Sequence, residues 1–278
     1  MSDTAQRLTA LQNRIHHAAK RAGRDPTELT LIAVTKHHPI AAIQRLSGLG
    51  HKHFAENYPQ EFVDKHDSLA KVDAALRWHF IGQIQRNKTR AIAERADVVH
   101  SLDRLIIAER LSDQRPEDRD PLDVLLQVDL SDETGKGGVK PSEAAMLATA
   151  VAELPRLRLR GLMAVPAPNN GLPDSPQARA VFARLRDLRD QIRDQIGHRI
   201  GRSSLRDSPH DPDRLAKNVQ ADTAPDRSQD LSSPGSEHRM PMLTWLSMGM
   251  SDDLEAAVLE GATHLRIGTA LLGPRPKT

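Results

Sequence analysis

Residues 29–57 read LTLIAVTKHHPIAAIQRLSGLGHKHFAEN. The first eight, LTLIAVTK, are apolar and β-branched, which is strand composition. Pro39 can open a helix, and AAIQRLSGLG after it carries apolar residues at helical spacing before ending on glycine. HKHFAEN, residues 51–57, is strand-like again. Such a unit implies two parallel strands joined by a crossover helix.

The same alternation runs on through the chain. RWHFIG (77–82), DVVHSL (97–102), DVLLQVDL (123–130), RLRGLMAV (158–165), MLTWLSMG (242–249) and HLRIGTALLG (264–273) read as strands. NKTRAIAERA, SEAAMLATAVAEL and SDDLEAAVLEGA read as helices between them. At the N-terminus Leu8, Leu11 and Ile15 recur at helical spacing, and Gly23 sits where a C-cap belongs. Eight β/α units in 278 residues, with the N-terminal helix closing the ring, predict a single α/β domain over 1–278, a (β/α)8 TIM barrel. A doubly wound open sheet is the alternative; no GxGxxG follows the first strand to favour it.

Composition narrows the function classes. The absence of cysteine excludes a disulfide scaffold, a thiolate metal site and a cysteine nucleophile. Lys and Arg number 39 against 37 Asp and Glu, so no single-sign field argues for nucleic acid or a membrane surface, although the sequence pI is near 9.0. No stretch approaches the ~18 consecutive apolar residues of a membrane helix. The N-terminus has no apolar signal core, so a cytoplasmic address is expected. Aromatic content is 3%, which makes the core aliphatic. The mean hydropathy of -0.52 points to a polar segment. Residues 198–241, rich in Ser, Pro, Asp and Arg and without period, fit that description; they are expected to be a disordered insertion before strand 7.

Active sites of such barrels lie at the C-terminal ends of the strands. Strand 1 ends in Lys36, strand 2 in Glu56 and Asn57; strand 3 carries His79, and strand 4 ends near His100 and Ser101. A partly desolvated lysine at a barrel mouth offers a free amine for a Schiff base. Strand 7 ends in Ser247, Met248 and Gly249; Ser251 or Asp252 then stands where it would cap the next helix, a place suited to phosphate. Strand 8 adds Gly268, where the backbone can come close, and the hydroxyl of Thr269. Amine and anion cup together suggest a phosphorylated aldehyde, either bound pyridoxal 5′-phosphate (PLP) or the substrate of a Schiff-base aldolase. Arg266 shares a strand face with Gly268 and favours PLP, since a fixed cation keeps a pyridine nitrogen unprotonated. His51 and His53 share a strand face but lack a third ligand at metal spacing. His16–His17 and His37–His38 read as exposed pairs, and SDETGKGG (131–138) as a loop without the full P-loop pattern.

LIAVTKHHP, FAENYPQE, WHFIGQIQRNK, VVHSLDR, LLQVDLSDETGKGG, LRGLMAVPAP and LSMGMSDDLEAAVLEGATHLRIGTALLG, in this order, resemble the pyridoxal phosphate homeostasis protein family. These are single-domain PLP-binding barrels similar to the N-terminal domain of alanine racemase. The resemblance runs from about residue 5 to 275, apart from 198–241. It implies that Lys36 holds PLP as a Schiff base and that Ser247, Met248, Gly249, Ser251, Gly268 and Thr269 surround the phosphate. It further implies that Arg266 faces the pyridine nitrogen and that Asn57 lies near the ring. His79 and Asn87 match motif positions without an assigned role. Thr35 stands in place of a usual Ser, Ala55 of a Gly and Gln83 of a His, and His37 and His38 also depart from the pattern; none of these removes the amine.

The alternative from another class is a PLP-dependent amino-acid racemase. Racemisation needs an acid/base on each face of the ring, and the single tyrosine, Tyr58, follows Asn57 with no strand-rich domain after the barrel. The expectation is therefore a PLP carrier and regulator with little or no turnover, weak racemase-like activity being left open. Expected partners are PLP and PLP-dependent apo-enzymes, without nucleic acid or membrane, and the expected state is a monomer, because a closed sheet needs no partner.

Overall fold

The computed structural model describes residues 3–130, 137–165, 176–206 and 243–274. Eight strands pair in parallel, each with the next and the last with the first, into a closed barrel. They are β1 (Thr30–Val34), β2 (His53–Glu56), β3 (Arg77–Phe80), β4 (Val98–Leu102), β5 (Leu122–Gln127), β6 (Leu157–Met163), β7 (Trp245–Ser247) and β8 (His264–Ile267). The ring closes where Thr30 to Ala33 pair with His264 to Ile267. Around it lie α1 (Asp3–Arg21), α2 (Ile40–Gly48), α3 (Pro59–Leu69), α4 (Thr89–Arg95), α5 (Leu105–Gln114), α6 (Pro141–Ala152), α7 (Pro176–Arg206), α8 (Leu254–Leu259) and α9 (Thr269–Leu272). The barrel expected from the alternation is the fold observed.

Strands covered on both faces are buried almost throughout and mostly apolar, as in LDVLLQ of β5, where Asp123 is the buried exception. Their outward residues and the inward stripes of the helices form one mainly aliphatic core, which also takes in Phe54, Phe62, Trp78, Phe80 and Phe182. Helix α1 buries Leu8, Leu11, Ile15, Ala18 and Ala19 and lies against α8 and α9, closing the helical ring. No helix among the described residues is long and apolar enough to cross a membrane.

Three local expectations are corrected. Strand 8 stops at Ile267 rather than Gly273. Gly268 takes φ -107 and ψ -85, and its carbonyl accepts from the amides of Leu271 and Leu272, so a helical turn replaces the strand ladder. The helix after β7 begins at Leu254, with Asp253 at its N-cap position rather than Ser251 or Asp252. The turn before it is set by Gly249 at φ 92, and by the Met250 amide donating to Asp253 Oδ1 at 2.5 Å. Helix α7 runs on to Arg206, through the first residues of the segment read as disordered from 198. Phe182, Leu185, Ile192 and Ile196 keep helical spacing and are buried. The rest of that segment, 207–241, lies outside the described residues, as does 131–136 of the SDETGKGG loop.

Candidate functional site

A cavity of about 620 Å³ opens at the C-terminal mouth of the barrel. Lys36, Asn57, Ser251, Arg266, Gly268 and Thr269 line it. Two residues past the end of β1, Lys36 is half-buried, and the backbone leading to it is still ladder-bound, the Thr35 amide donating to the Ala55 carbonyl at 3.0 Å. Val34, Ile81, Met163 and Val165 supply apolar wall. His38 is part of the wall and buried, contrary to the expected exposed pair, because the turn into α2 folds it back while His37 stays outside.

Asn57 follows β2. Its side-chain oxygen is buried and meets no protein donor. Its backbone passes so close to Gly82 that a Cβ there would overlap the Asn57 carbonyl, so glycine is required at 82. On the opposite rim, the Ser251 hydroxyl accepts from the Ala270 amide at 3.3 Å and ties the turn after β7 to the turn after β8. Arg14 reaches the same rim from α1. It donates to both carboxylate oxygens of Glu255, at 2.8 and 2.9 Å, and to the Ser251 carbonyl at 3.1 Å. Sequence reading missed Arg14, since nothing local to α1 announces a contact with a turn so far along the chain.

Ser247, Met248 and Gly249 do not line the cavity. Ser247 points inward but pairs in register with His264, one layer below Arg266. The next residue, Met248, points outward into the aliphatic core. Gly249 lies under the turn; a Cβ there would sit 2.6 Å from Ala257 Cβ, and its carbonyl accepts from the Arg266 amide at 3.0 Å.

Arg266 is buried inside the barrel. Its Nη1 donates to Ser247 Oγ at 2.6 Å and its Nη2 to the Ala164 carbonyl at 2.9 Å. Burial pushes its pKa down to about 10, with Asp253 opposing, so it remains a cation at neutral pH. Beneath it four histidines share the barrel interior with apolar side chains such as Ile32, Val98 and Leu125. His100 Nδ1 stands 2.8 Å from Ser247 Oγ, His79 Nδ1 2.9 Å from His100 Nε2, and His53 Nδ1 3.0 Å from His79 Nε2. His264 lies beside them, 6.0 Å from the His100 ring. Burial holds His79 and His100 well below the usual histidine pKa, and it lowers His264 to about 3 and His53 to about 4. All four are neutral at pH 7. Among the described residues no cluster could hold a metal ion.

The alanine racemase N-terminal domain model matches residues 6–211. A pyridoxal phosphate homeostasis protein of Pseudomonas aeruginosa is 44% identical over 275 residues, covering 99% of this chain and 97% of its own. The protein of that name from Escherichia coli K12 is 41% identical over 276 residues, with 99% and 98% covered. PipY of Synechococcus elongatus, solved with PLP bound, matches at a TM-score of 0.70 and 30% identity over 98% of this chain and 100% of its own. The chain belongs to the alanine racemase N-terminal domain family, and within it to the group of the pyridoxal phosphate homeostasis proteins.

Proposed function

We propose that this protein binds PLP at the barrel mouth and serves PLP homeostasis as a carrier and regulator rather than as an enzyme. One observation carries the reading: Lys36 lines the same cavity as Ser251, Gly268, Thr269 and Arg266. When bound, PLP supplies an aldehyde that condenses with an amine, losing water, to a Schiff base. Lys36 provides that amine. The Ser251 and Thr269 hydroxyls hold the phosphate, and Gly268 leaves room for it. The Arg266 cation keeps the ring nitrogen unprotonated, which makes the ring a poor electron sink. The unpartnered Asn57 oxygen supports the fit, since a buried acceptor without a donor is costly and a polar ligand atom relieves it. Ser247, Met248 and Gly249 support the site from behind its wall.

The carrier reading is supported by the place of the single tyrosine. Tyr58 is 49% exposed, lies with its ring tilted against that of His37 at 5.1 Å, and does not line the cavity. The names of the relatives point the same way. Delivery to PLP-dependent apo-enzymes, a cytoplasmic address and a monomeric state are parts of the same proposal.

Absorbance tests it. The purified protein shows a visible band that borohydride fixes onto Lys36, and Lys36→Ala abolishes the band. A colourless protein that takes up no added PLP overturns the binding reading, and is the result an aldolase would give. Racemisation of L-alanine at ~1 s⁻¹ or faster overturns the carrier reading.

A further inference from the structure

We propose that Glu61 and Lys65 of α3, which lie outside the cavity wall, clamp the backbone on both sides of Lys36 and so position its amine; the proposal rests on the PLP reading above. His37, the residue after Lys36, has φ 63, and among the described residues no other non-glycine residue has a positive φ. A positive φ is uncommon outside glycine, although histidine tolerates it better than most residues, and such a turn persists where the surroundings over-determine it. Here the His37 amide donates to Glu61 Oε1 at 2.7 Å. The same oxygen accepts from Lys65 Nζ at 2.7 Å, the two side chains being four residues apart on one face of α3.

Lys65 also reaches the residue before Lys36. Its Nζ donates to the Thr35 carbonyl at 2.7 Å and to Glu56 Oε1 at 2.7 Å. Glu56 Oε1 in turn accepts from the Thr35 hydroxyl at 2.5 Å. An ammonium has three protons, and all three have acceptors here. The Lys65 side chain is 5% exposed and that of Glu56 fully buried. Burying a charged group this deeply is a poor way to gain stability, and the best use of such a group is to specify one conformation. The conformation specified is the turn 35–37. With Thr35 tied at its carbonyl and hydroxyl and His37 at its amide, the Lys36 Cα is held from both directions. Only its side-chain torsions are left to aim the amine.

The test separates the amine from the rest of the pocket with two ligands. PLP carries an aldehyde; pyridoxine 5′-phosphate carries an alcohol and forms no covalent link. Glu61→Ala is expected to weaken PLP binding, and the borohydride-fixed fraction with it, roughly 10- to 100-fold. Its affinity for pyridoxine 5′-phosphate stays within about twofold of the parent's. His37→Gly in the Glu61→Ala background restores most of the loss, because glycine adopts the left-handed turn without the clamp. Glu61→Gln, which keeps shape and an acceptor, shows the same split in weaker form and replaces Glu61→Ala if melting curves show that variant unfolded. Unchanged PLP binding, an equal loss of both ligands in a folded variant, or no rescue by His37→Gly overturns the clamp. Failure of the unmodified protein to bind either ligand overturns the PLP reading instead.

Discussion

His100 Nδ1 and the Ser247 hydroxyl stand 2.8 Å apart inside the barrel, and the same hydroxyl receives the Arg266 guanidinium at 2.6 Å. Arginine only donates, so Ser247 accepts from it. Below it the three histidines are linked ring nitrogen to ring nitrogen, so the proton position on one ring fixes the tautomers of the other two. One run of contacts thus joins the cation at the mouth to the foot of the barrel.

Removing the link tests this run of contacts. Ser247→Ala leaves a buried Arg266 donor and the His100 Nδ1 unpaired. The expected cost is about 2–3 kcal/mol of unfolding free energy, measured by denaturant titration. A loss under about 0.5 kcal/mol, within the range of neutral surface changes, rules out the network as drawn.

The buried histidines also set a pH dependence. Their folded pKa values lie below the unfolded value near 6.5. As pH falls through 6.5 the unfolded chain takes up protons that the folded barrel refuses, so stability is fully present above that pH and declines below it. His79, His100 and His264 each contribute a slope of about 1.4 kcal/mol per pH unit, continuing down to about pH 3 for His264. Denaturant midpoints measured between pH 7.5 and 4.5 check it; a flat profile contradicts neutral buried rings.

Two glycines should respond differently. Gly82→Ala forces a Cβ into the Asn57 carbonyl and is expected to cost more than about 3 kcal/mol. Gly268→Ala places its Cβ at an ordinary 3.5 Å from the Val34 carbonyl and is expected to cost under about 1 kcal/mol, while narrowing the cavity. Thermal melts of the two variants decide the contrast, and equal losses would contradict it.

Much of the site was legible because strand alternation and the strand-end rule need only local sequence. They place Lys36, Asn57, Arg266, Gly268 and Thr269 at one mouth before any coordinate is known. They give direction across the sheet but not depth along the barrel axis. The resemblance sets Ser247 around the phosphate, yet register with His264 places it below the cavity wall, against the Arg266 guanidinium.

From the chain alone came the order of eight β/α units, the barrel they build, and the amine and hydroxyl groups at its rim, since periodicity and turn chemistry act between neighbours in sequence. Tertiary packing alone decided the Arg14 latch, the histidine column and the Lys65 clamp under the lysine turn. Each depends on side chains from separate elements meeting within hydrogen-bond distance, and strand register and helix docking set those distances only once the ring has closed.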